Sequence, residues 1–141
     1  MSVIVYSKVY NATQRLINKQ QNSTVKINTF TEIPDEINGC VLYLYRSKND
    51  KKHDKYICVT DFAQLAFVSI ENRLTKFALV KHYHAGKADI FLYRSESYQL
   101  KIEVNKQKAT APESASITGT MTVKDAANKK TTFNFIGNLE C

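Results

Sequence analysis

Apolar and polar residues alternate along most of this chain, at the two-residue period of strands with one buried face. Tyr98, Leu100, Ile102 and Val104 oppose Gln99, Lys101 and Glu103. Ile117, Gly119, Met121 and Val123 oppose Thr118, Thr120, Thr122 and Lys124, and Phe133 and Phe135 continue the apolar face beyond a turn at 125–130. Phe77–His84 and Asp89–Arg94 flank the turn Ala85-Gly86-Lys87-Ala88. Cys40–Arg46 and Lys55–Thr60 are apolar on both faces, which predicts central strands, with the charged segment 47–54 as a solvated hairpin tip. Residues 24–30 look extended, Val25 and Ile27 alternating with Lys26 and Asn28, whereas 106–114 reads as polar loop.

Two segments break the strand pattern. Val5, Val9, Ala12 and Leu16 recur at helical spacing and predict a helix over about 8–20, although the early β-branched residues also fit a strand. Asp61 is placed to cap a second helix, with Gln64 three residues on as in a capping box. Ala63, Ala66, Phe67, Ile70 and Leu74 form its apolar stripe, so it should end near Leu74. Together the elements predict an α+β, β-rich fold. A mostly antiparallel curled sheet or partial barrel of about seven to eight strands would pack on one or two helices, as a single globular domain over 1–141.

Length changes this picture little: 141 residues suffice for a core that buries about 70% of the unfolded surface. Three cysteines match no zinc spacing. Cys40 and Cys58 lie in apolar runs and are expected to be buried and reduced, and Cys141, the last residue, to be an exposed thiol. The N-terminal apolar patch is short and no stretch approaches the roughly 20 apolar residues of a spanning helix. These features predict a cytoplasmic protein without a membrane segment.

The net charge is +7, which favours acidic partners: nucleic acid, an anionic surface or an acidic protein. The charge is spread over both halves, and lysines outnumber arginines sixteen to four. Arginine is the usual bidentate reader of guanine and phosphate, so the balance weakens a sequence-specific nucleic-acid reading.

Four groups of residues could carry chemistry. Lys48, Lys51, Lys52, His53 and Lys55 could meet phosphates or an acidic partner, against the ordinary reading of a solvated tip. Tyr43 and Tyr45, with Tyr56, Tyr83 and Tyr93, could form a stacking platform or a protein-binding face, against ordinary core packing. Thr118, Thr120 and Thr122, extended by Thr132 and Asn134, form a flat uncharged face suited to protein contact, against an ordinary solvent face. His82 and His84 share one strand face, beside Ala78 and Val80, and could begin a metal or acid–base site. Such a site needs a third ligand, for which His53, Asp89 across the hairpin and Cys58 are the candidates; the ordinary reading, which is favoured, has two half-exposed histidines at a strand end, with no third ligand converging.

No catalytic or metal constellation is complete, and no cofactor is implied. The sequence therefore points first to a non-catalytic binding protein acting through a protein–protein surface, such as an inhibitor or immunity protein, a phage or mobile-element accessory factor, or a structural subunit. Its partner is expected to be another protein, with an acidic one fitting the charge. Nucleic-acid binding through the Lys/Tyr surface is the second reading. A small basic ribonuclease or metal-dependent enzyme using His82 and His84 is the third.

Overall fold

A computed structural model describes residues 24–61 and 64–141. Strands β2 (Val41–Tyr45), β3 (Cys58–Thr60), β4 (Leu65–Ile70), β5 (Arg73–Ala85), β6 (Ala88–Arg94), β7 (Tyr98–Ala111), β8 (Ser114–Asp125) and β9 (Lys130–Glu140) pair antiparallel with their sequence neighbours. β2 also pairs with β9 from Val41↔Glu140 to Tyr45↔Ile136, which closes the ring. The result is an eight-stranded up-and-down barrel. A short strand, β1 (Ile27–Asn28), adds to β4 beyond the end of β3.

The barrel interior is filled by side chains, as expected for this strand number. Phe77, Phe91, Phe135, Leu42, Leu44, Leu100, Ile102 and Met121 all lie almost wholly out of solvent. Val25 and Ile27 join this cluster where the β4–β5 and β8–β9 turns lie. There Thr131 donates to the Val25 carbonyl (2.5 Å) and Arg46 to the Ile27 carbonyl (3.3 Å), so the segment before β1 stoppers that end. A buried bond between the Thr60 and Tyr93 hydroxyls (2.9 Å) spans the interior.

A second apolar cluster lies outside the barrel wall. Ile37 and Phe30 pack on Tyr43, Tyr45, Tyr56, Val59 and Phe67. This layer explains why β2, β3 and β4 are apolar on both faces: one face lines the barrel and the other is roofed by the chain between Phe30 and Ile37.

The fold departs from expectation in several places. The described residues are nearly all sheet rather than α+β, and their sole helix is one turn, α1 (Lys48–Lys52), inside the charged β2–β3 connection. The segment expected as a helix from Asp61 to Leu74 instead forms β4 and the start of β5. Leu65-Ala66-Phe67-Val68-Ser69-Ile70 is buried on both sides, which a strand between two apolar layers requires and a one-sided helix does not. Glu71 and Asn72 then turn the chain with φ of 50° and 64°, the left-handed conformation of tight hairpins. Asp61 does cap, but in a loop: its carboxylate accepts from the Gln64 and Leu65 amides (3.0 and 2.9 Å). Residues 106–111 and 114, expected as loop, continue β7 and β8 as an arm whose exposed flanks leave no apolar alternation to read. The helix expected over 8–20 lies outside the described residues.

The cysteines also differ from expectation. Cys40 and Cys141 form a disulfide, with Cα atoms 4.1 Å apart. Each lies one residue beyond the Val41↔Glu140 pair, so ring closure brings together thiols separated by 101 positions. Cys58 is free and fully buried, and loss of hydration holds its thiol pKa well above the ordinary value.

Candidate functional site

The antiparallel register sorts the charged and polar residues into rows around the barrel. One outward row runs Arg94, Gln99, Lys124 and Lys130 across β6 to β9. The next runs Leu92, Lys101, Thr122 and Thr132. A bulge between Leu79 and Lys81 adds Val80 to the same side, where it stays largely exposed. These residues line a groove of about 400 Å³. Arg94, Lys101, Lys124 and Lys130 supply four cations, and no lining side chain is acidic. The Thr122 and Thr132 hydroxyls bond to each other (3.0 Å) in its wall, and Val80 and Leu92 provide an apolar patch.

The threonine face thus contributes Thr122 and Thr132 to the groove. Thr120 lies one row along and donates to the Glu103 carboxylate (3.1 Å), while Thr118 is exposed farther up β8. The arginine and lysines that complete the groove come from several different strands, and alternation alone could not rank them above other exposed cations. Their signal becomes visible only once strand register is known.

The tip residues Lys48, Lys51, Lys52, His53 and Lys55 are all exposed. Ser47 caps α1 by accepting from the Asp50 amide (3.1 Å), and the His53 ring bonds to the Asn49 carbonyl (2.8 Å). Asp50 and Asp54 are interspersed with the lysines, so this tip carries mixed charge where the groove carries one sign.

The Tyr56 ring lies between those of Tyr43 and Tyr45 in contact, 5.5 Å from each by centroid with the planes tilted, beneath Phe30 and Ile37. Burial raises all three phenol pKa values. Tyr93 points inward to Thr60, and desolvation raises its pKa as well. These rings are engaged in packing rather than arrayed as a stacking platform.

His82 and His84 require a correction. The bulge at Val80 reverses the inward–outward phase of β5, so both rings share the side of Phe91 and the barrel interior instead of the side of Ala78 and Val80. His82 sits opposite Phe91 and stacks on it, centroids 4.1 Å apart and planes within 6°. His84 sits opposite Asp89. Asp89 Oδ1 lies 2.6 Å from His84 Nδ1 and 3.4 Å from His82 Nε2. A third potential ligand therefore does converge. The two-residue turn at Gly86-Lys87, with Gly86 at φ 62°, fixes this register and was the available clue.

No known protein family, curated protein or solved structure matches this chain.

The two features differ in chemistry. The groove offers cations, hydroxyls and a small apolar patch, which suit binding and orienting. The histidine cluster offers lone pairs across a two-residue hairpin, which can ligate.

Proposed function

We propose that this chain is a non-catalytic binding protein that takes an extended, acidic protein segment along the outer groove of β6 to β9. The observation that carries the reading is the one-signed lining: Arg94, Lys101, Lys124 and Lys130 with no carboxylate among them. Such a surface attracts and steers an acidic partner, and Val80 and Leu92 give it a place for an apolar side chain. A nucleic-acid reading would share the charge but require exposed aromatic faces, and Tyr43, Tyr45, Tyr56 and Tyr93 are engaged in packing.

We also place the protein in an oxidising compartment. The Cys40–Cys141 disulfide favours that setting over a cytoplasmic one. No helix among the described residues is long and apolar enough to cross a membrane.

The test is fluorescence anisotropy with a labelled Glu-rich peptide and a single-stranded oligonucleotide of matched charge. The peptide should bind saturably and weaken with salt. Reversing Lys101, Lys124 and Lys130 to Glu should weaken it by on the order of a hundredfold at low salt. Reversing Lys48, Lys51, Lys52 and Lys55 should change it little. Tighter oligonucleotide binding lost in the same triple variant would install the nucleic-acid reading instead. Binding of neither probe would overturn both.

A further inference from the structure

We propose that His82, His84 and Asp89 form a binding site for a divalent transition-metal ion, zinc being the best match, on the inward side of the β5–β6 hairpin. The site is separate from the outer groove. Strand geometry supplies the first two ligands, because residues two apart project from one face. The ladder supplies the third, because Asp89 is the cross-strand partner of His84. Together they offer two imidazole nitrogens and one carboxylate oxygen, all within 4.8 Å of one another.

The spacing suits the ion. Zinc–nitrogen and zinc–oxygen bonds of 2.0–2.1 Å at tetrahedral angles separate neighbouring ligand atoms by about 3.4 Å. His82 Nε2 and Asp89 Oδ1 already stand 3.4 Å apart. His84 Nδ1 is closer, at the ion-pairing distance of 2.6 Å from Asp89 Oδ1. Opening that contact by about 0.8 Å admits the ion. His84 has the freedom to move, its side chain being 75% exposed. His82 is the more restrained of the two, its side chain 41% exposed and its ring lying flat on the buried Phe91. One stacked ligand, one carboxylate between two rings and one adjustable ligand make a three-point site open to solvent. Two imidazoles and a carboxylate favour zinc over magnesium, which prefers oxygen ligands and retained water.

The experiment is calorimetric titration of zinc chloride into the full chain, prepared without a polyhistidine tag and under non-reducing conditions. Magnesium serves as the contrast and His53→Ala as the control histidine. The expected result is one zinc per chain and no magnesium uptake. His82→Ala, His84→Ala and Asp89→Asn should each weaken zinc by about tenfold or more, and His53→Ala should leave it unchanged. Zinc should raise the melting temperature of the parent protein but not of His84→Ala. That variant alters an exposed ring, and its own melting transition reports whether it folds. No saturable zinc uptake by the folded parent, or undiminished uptake by the His82→Ala/His84→Ala double variant, would overturn the assignment.

Discussion

Replacing Gly119 with alanine should be among the most damaging single changes in the barrel. Gly119 lies in β8, opposite Val104 of β7 and Phe135 of β9. A Cβ there would stand 1.8 Å from the Glu103 carbonyl oxygen, and 2.9 Å from both the Glu103 carbonyl carbon and the Phe135 ring. The nearest clash is with backbone, so no rotamer relieves it. Ordinary carbon–oxygen contacts begin near 3.3 Å, so β7 must retreat by about 1.5 Å. That movement breaks ladder bonds beside the bulge between Val104 and Lys106. Losing two such bonds at about 1 kcal/mol each, with an overpacking cost of about 1–3 kcal/mol, gives roughly 3–5 kcal/mol. Urea unfolding followed by circular dichroism measures this directly, as a lower midpoint at an unchanged slope. Gly86→Ala is the contrast. Its position is open and only its φ of 62° is unfavourable, so about 1–2 kcal/mol is expected. A loss below about 0.5 kcal/mol for Gly119→Ala would refute the close approach of β8 to β7 at this register.

Two further predictions concern thiols and pH. A non-reducing digest should yield a Cys40–Cys141 cross-linked peptide, reduction should cost about 2–4 kcal/mol, and native alkylation should spare Cys58; alkylation of Cys40 in unreduced protein would contradict the pairing. Burial raises the pKa of the Cys58 thiol above its usual 9.0 and of the Tyr93 phenol above its usual 10.0. The unfolded chain therefore sheds these protons first, and stability should be independent of these two groups below about pH 9. It should then fall by about 1.4 kcal/mol per pH unit for each group that ionises. A urea midpoint unchanged from about pH 9 to 11 would contradict this burial.

The strands with one solvent face were legible in the sequence because their apolar period is two. Tyr98–Val104 and 117–123 line the barrel as the alternation requires, and the turns at Gly86-Lys87 and after Asp125 fall where polar residues interrupt it. The β4 segment was not legible, since Ala66, Phe67 and Ile70 satisfy helical spacing as well as a strand buried on both faces. What decides between them is the outer layer of Phe30 and Ile37, distant in sequence. Ring closure was hidden for the same reason: β2 meets β9 across the length of the chain, and with them Cys40 meets Cys141. At the histidines, one inserted residue was enough. Val80 at the bulge moves His82 and His84 to the opposite face from the one simple alternation assigns, onto Phe91 and toward Asp89. The groove was partly visible as threonines, but its cations come from Arg94, Lys101, Lys124 and Lys130, which only the register unites.

The central claim is that the outer groove, rather than the lysine-rich tip, receives an acidic protein segment. Amide chemical-shift mapping tests it most directly, with a Glu-rich peptide titrated into isotopically labelled protein at low salt. The account predicts saturable shifts concentrated at Arg94, Lys101, Thr122, Lys124, Lys130 and Thr132, with the signals of 48–55 nearly still. Shifts concentrated at 48–55, or absent altogether at saturating peptide, would contradict it.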